Sequence, residues 1–202
     1  MRGLAVVLML APLGAVAEEG CLRVALAGAE AAAPALAARA EALGGHAEGL
    51  VAVVPDGVVR DAGAELLTRP GHLSFHAMIG RNGEIDPEGA LIRDAGVRAA
   101  EVRSGAGGTE LYLALDEAAS ERLARVTADL LGGTVAMALD GEVVVAPRVL
   151  EPITGGELVI SGGFTGAELE RMAVMMAAPL PGPLVIETVE RTGCTAPGAT
   201  EN

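Results

Sequence analysis

The chain has 202 residues, 14 basic against 27 acidic, with 51% apolar and only 1% aromatic residues. That balance excludes a disordered chain, which needs low hydrophobicity and high charge, and argues against nucleic acid as a partner, which needs a basic surface. Two Phe, one Tyr and no Trp leave no platform for stacking bases, and every basic residue is Arg, so a phosphate loop lacks its lysine.

Met1-Arg2-Gly3, an apolar run from Leu4 to Ala17 and the small-x-small end Ala15-Val16-Ala17 read as a secretory signal peptide cleaved near Ala17. The run is shorter than the ~20 residues a bilayer span needs, and nothing after it is long and apolar enough, so the mature chain is expected to be soluble outside the cytoplasm. Cys21 and Cys194 are the only cysteines. An oxidising compartment allows one bridge between them; two unpaired thiols are the other reading.

In chain order, Leu22–Ala27 reads as a strand and Ala35–Leu43 as an Ala-rich helix, with Pro34 in its first turn and Gly44-Gly45 as its stop. Leu50–Val54 is a second strand, Val58–Leu67 a short helix and His72–Ile79 a third strand, making β-α-β-α-β. Gly80–Gly89 is polar and turn-rich, a candidate boundary. Val97–Arg103 and Glu110–Leu115 read as strands across a glycine turn, and Asp116 is a good N-cap for a helix to Leu131. Thr134–Leu139 and Glu142–Ala146 flank Asp140-Gly141, a type I′ hairpin signal, and Pro147 ends the second strand. Leu158–Ser161 is a strand. Thr165 and Glu168 form a capping box, Phe164 can staple onto Leu169, and Leu169, Met172, Ala173 and Met176 make a buried stripe. Pro179, Pro181 and Pro183 stop that helix, Leu184–Val189 is the last strand, and residues 192–202 read as a flexible tail. The fold class is α+β: antiparallel sheets with helices packed on one face.

Little of the sequence carries reaction chemistry. His72 and His76 stand about 13 Å apart along a strand and cannot chelate one ion together, and His46 reads as isolated in a loop. Ser74, Ser104, Ser120 and Ser161 lie in no nucleophile elbow. Asp140 is explained by its turn. Glu151 and Glu157 flank a proline–glycine turn and are the one carboxylate pair with acid/base spacing, more readily read as solvated loop charges. No cofactor, metal or catalytic residue is assigned, and the chain reads as a non-enzyme.

One block carries more. Leu139-Asp140-Gly141, Ala146-Pro147, the turn Glu151-Pro152-Ile153-Thr154-Gly155-Gly156, the strand end Ile160-Ser161-Gly162 with Phe164-Thr165, Leu180-Pro181-Gly182-Pro183-Leu184 and Glu190-Arg191-Thr192 together resemble the first periplasmic domain of SecD and of fused SecDF, a membrane subunit of the bacterial Sec translocase. Weaker echoes lie at Arg39–Leu43, Val51–Gly57 and Leu73–Phe75. Val145 stands where that family usually has Ser, Gly163 where it has Asn, and its transmembrane helices have no counterpart in the sequence. The resemblance implies a ferredoxin-like base over 18–80, a head over 90–190 and a last strand, 184–189, able to return to the base. It also implies a periplasmic protein that binds unfolded or translocating polypeptide, with Sec translocase subunits as further partners. The alternative is an envelope scaffold module unrelated to translocation.

Overall fold

A computed structural model describes residues 20–57, 64–79, 84–105 and 108–194. The expected leader, the first part of the helix expected from Val58 and the last eight residues lie outside them. Among the described residues, β1 (Cys21–Ala27) leads through a 3-10 turn into α1 (Ala33–Ala42), β2 (His46–Glu48), β3 (Val51–Pro55) and α2 (Glu65–Thr68). Then follow β4 (Leu73–Ile79), β5 (Glu84–Ile92), β6 (Val97–Gly105), β7 (Gly108–Leu115) and α3 (Glu117–Asp129). The chain closes with β8 (Val135–Leu139), β9 (Glu142–Val145), β10 (Glu157–Ser161), α4 (Gly166–Ala177) and β11 (Val185–Thr192).

The strands form three antiparallel sheets, ordered β11-β1-β3-β2, β10-β7-β6 and β5-β4-β8-β9. This is the α+β architecture expected from the alternation of strands, hairpins and helices. Two apolar cores result. The smaller joins Val24, Leu26, Leu36, Ala40, Val54, Leu67, Leu180 and Leu184 under the first sheet. The larger lies between the other two sheets and α3 and α4, around Phe75, Leu111, Leu123, Met137, Ile160, Leu169 and Met176. Adjacent residues part company: Leu66 enters the larger core and Leu67 the smaller.

The chain passes between the cores twice, and the passages are tied side by side. Leu180 N–H donates to Pro70 C=O at 2.8 Å, and Leu184 N–H to Thr68 C=O at 2.9 Å. β11 then pairs with β1 from Cys21↔Thr192 to Ala27↔Val185. Immediately beyond, Cys21 and Cys194 form a disulfide with Cα atoms 5.0 Å apart.

Four readings of the sequence need correction. Leu73–Ile79, grouped with residues 18–80, pairs with β8 and β5 and packs in the larger core. A central strand takes whichever sheet buries its apolar side chains, and a local pattern does not specify the sheet. The polar stretch after Gly80 holds the start of β5: an edge strand tolerates Pro87, because its outer N–H groups need no partner. His46 lies in β2 rather than a loop. Thr192 ends a strand and Cys194 is covalently held, so residues 192–194 are not a flexible tail.

Candidate functional site

The Asp140-Gly141 turn has φ of +51° and +83°, as a type I′ hairpin requires. Its carboxylate does more than turn the chain. Oδ1 accepts from Gly71 N–H and His72 N–H, both at 2.8 Å, and Oδ2 sits 3.3 Å from Arg69 Nε. Asp140 therefore fastens the hairpin to the segment joining the two cores. The sequence explained Asp140 by the turn alone and missed this clamp.

Arg39 completes the junction. It lies on the buried face of α1 and is fully inaccessible. Its guanidinium donates to five backbone carbonyls: Ala178 at 2.7 Å, Leu66 at 3.0 Å, Arg69 at 2.7 Å, Pro70 at 2.6 Å and Met175 at 3.3 Å. These belong to α2 with its connection and to the end of α4. Burial lowers the Arg39 pKa to about 10, against the opposing pull of Asp140. The group stays charged at neutral pH, and its fork shape suits several carbonyls at once. The sequence did carry a signal: an Arg three residues after Leu36, on the face the helix buries.

Beside this junction, between β9 and α4, a groove of about 180 Å³ opens to solvent. Val143, Val144, Phe164, Met172 and Met175 give it an apolar lining. Charged side chains also line it: Arg69 and Arg171 with Glu65, Glu142 and Glu168. Arg69 is held in place by Asp140 and by Glu142 at 3.6 Å. The groove has room for a side chain or two, below the ~300–1,000 Å³ typical of small-molecule sites. Flexible thioethers at its base can repack around different side chains. Among the residues that line it there is no Ser, Thr, Cys or His.

The other motif residues resolve into fold-building roles. Leu139 is buried in β8, while Ala146 and Pro147 are exposed after β9. In the Glu151–Gly156 turn, Ile153 N–H donates to the buried Thr127 hydroxyl at 2.9 Å. Gly155 and Gly156 have φ of +91° and +68°, and a Cβ at Gly156 would stand 1.8 Å from Ser120 Oγ. Thr127 and Ser120 thus seat the turn on α3. Glu151, Pro152 and Thr154 are exposed. Ile160 is buried, Ser161 exposed, and Gly162 and Gly163 both have positive φ, +73° and +74°. Asn is among the few other residues that adopt this conformation readily, which accounts for the exchange of Asn for glycine at 163. Thr165 caps α4 with the full capping box, and Phe164 packs on the larger core. The backbone N–H and then the hydroxyl of Thr165 hold the Glu168 carboxyl below its ordinary pKa.

Glu151 and Glu157 are both exposed at opposite ends of the turn. Ser74 Oγ lies 3.0 Å from His76 Nε2, and His76 Nδ1 lies 3.0 Å from the Asp86 carbonyl. This has the order of a nucleophile and base, with a backbone carbonyl in place of the orienting carboxylate. Satisfying a buried imidazole at both nitrogens explains it.

A model of the SecDF P1 head subdomain matches residues 83–181. Over those residues the chain is similar to a P1 head. The translocase subunit SecD of Acidaminococcus fermentans is 38% identical over 78 residues, 39% of this chain and 18% of that protein. SecD of Calditerrivibrio nitroreducens is 38% identical over 90 residues, 43% of this chain and 17% of that protein. The chain therefore spans less than a fifth of these relatives. In fold the likeness extends beyond the P1 head. A crystal structure of SecDF in a super-membrane-facing form superposes with a TM-score of 0.68 and 23% identity, over 85% of this chain and 30% of that one. Another SecDF structure, described as a membrane component that enhances protein export, gives 0.63 at 22% identity, over 84% of this chain and 97% of that one. Within residues 83–181 lie β5 to α4, hence Asp140, the Glu151–Gly156 turn and most of the groove. Arg39 and the first sheet lie outside them. Among the described residues no helix is long and apolar enough to cross a membrane.

Proposed function

We propose that this chain works in protein translocation on the outer side of the membrane, holding polypeptide without doing chemistry on it. The observation that carries this reading is the groove between β9 and α4, with its apolar side chains supplied mostly by residues within 83–181. Extended polypeptide offers side chains to such a groove as it emerges, and a Met-lined base tolerates varied sequences. A disulfide-closed chain suits an oxidising compartment, which supports a periplasmic location. The reading of Met1–Ala17 as a cleaved leader agrees with it. Sec translocase subunits are the partners this reading implies.

The test is photocrosslinking in cells. A photoreactive residue at Val143, half-exposed in the groove, should crosslink to a defined export substrate arrested in the translocase. One placed at exposed Leu131, which is not among the residues lining the groove, should not. Crosslinks from Val143 only to a folded envelope protein would support the scaffold alternative and overturn this reading.

A further inference from the structure

Among the described residues six strands form the edges of the three sheets, and five of them are blunted. β11 has a bulge opposite Ala25 and Leu26 and carries Glu187 and Glu190. β2 is only three residues long. β5 contains Pro87 and two register shifts, β6 one shift near its start, and the four-residue β9 one more. These are the devices by which proteins prevent strand addition. β10 has no proline, bulge or register shift, and its one charge, Glu157, stands at its first position. Its five residues pair with β7 without irregularity, from Glu157↔Ala114 to Ser161↔Glu110.

The direction of its peptide groups follows from one bond. Leu115 N–H donates to Gly156 C=O at 2.9 Å. Antiparallel ladders alternate, so Gly156, Leu158 and Ile160 turn their peptide groups to β7. Glu157, Val159 and Ser161 turn theirs to the free edge. The Val159 side chain is 53% exposed on the outer face. Around it lie Glu101, Glu110 and Glu157 with one cation, Arg103, which bonds Glu101 at 2.6 Å and stacks on Tyr112 at 4.7 Å. Tyr112 donates to Glu110 at 3.0 Å. Glu157 stands at the outer end of its row, beside Ala114 and Ala99, with Arg103 the one cation its charge reaches within the patch.

We propose that an extended polypeptide segment adds to this sheet as a fourth strand along β10, uncharged over Val159 and with a basic side chain opposite Glu157. The proposal rests on the reading that the chain binds polypeptide, and it names the mode: main-chain hydrogen bonds supply affinity independent of sequence, and one carboxylate sets a charge preference. A carrier of many different sequences needs this kind of contact.

The test uses the whole oxidised chain and a fluorescein-labelled nine-residue peptide of alternating valine and threonine with one arginine, read by anisotropy. Val159→Pro removes one outward N–H and leaves the ladder to β7 intact; it should weaken binding at least tenfold with an unchanged circular dichroism spectrum. N-methylation of alternate peptide amides should do the same on the wild-type chain, which needs no variant to fold. Glu157→Arg should weaken the arginine peptide more than an uncharged one. Equal binding by V159P and by the methylated peptide would overturn strand addition while leaving polypeptide binding intact. No binding of any peptide would overturn both. Concentration-dependent dimerisation of the wild-type chain, abolished by V159P, would make a second copy the occupant and overturn the proposal.

Discussion

Replacing Arg39 with methionine removes the donor to five carbonyls at once and leaves an apolar side chain of similar length. Two of these bonds, to Leu66 and Met175, are buried; the other three reach part-buried carbonyls that water can approach. A buried acceptor left without a donor costs ~1–3 kcal/mol, so the two buried carbonyls alone account for ~2–6 kcal/mol. Methionine also recovers the desolvation that lowers the arginine pKa to about 10, which offsets part of the loss. A net cost of ~3 kcal/mol is expected, a fall in Tm of roughly 6–12 °C for a chain of this size. Arg39→Lys keeps the charge but loses the fork and should fall between the two. Thermal unfolding followed by circular dichroism, with the disulfide intact, reads all three. An R39M melting point within ~2 °C of wild type would refute the view that this guanidinium holds the two cores together.

Asp140→Asn keeps a residue tolerant of positive φ but weakens the bonds to Gly71, His72 and Arg69; it should cost ~2 kcal/mol in urea unfolding, and Asp140→Pro more, because proline cannot take φ of +51°. Gly156→Ala and Gly141→Ala both place alanine at positive φ, yet only the first meets a neighbour, so G141A should cost ~1–2 kcal/mol and G156A clearly more; equal costs would contradict the seating of the turn on α3. Glu168 titrates lower folded than unfolded, so its stabilisation is present at neutral pH and lost as pH falls through its folded value. The Tm gap between wild type and Glu168→Gln should therefore narrow in acid, and a gap that widens would reverse the assignment. Reducing Cys21–Cys194, which closes a loop with a sequence separation of 173, should destabilise by up to ~5 kcal/mol in the chain-entropy account.

Local signals in the sequence were read well where the deciding interaction was itself local. The Asp140-Gly141 hairpin, the capping box at Thr165 and Glu168, and the stripe Leu169, Met172, Ala173 and Met176 are each settled within a few residues, and each is present. Met175 is buried as well, its carbonyl taken up by the long-range Arg39 guanidinium. What escaped was long-range. Arg39 finds partners up to 139 residues away and Asp140 up to 71; the helix face marks Arg39 as buried but names none of its partners. β4 looks alike whichever sheet receives it. The first residues of β5 read as loop because Pro87 and its polar neighbours are penalised in a central strand and tolerated at an edge. The groove was also hidden, since Val143 and Met172 come together only when β9 and α4 fold against the same core.

Equilibrium binding of the oxidised chain to a reduced, carboxymethylated secretory protein, set beside the same protein folded, goes to the heart of the matter. The account predicts saturable binding to the unfolded form alone, weakened by Val143→Asp in the groove. Equal affinity for both forms, or none for either, would contradict it.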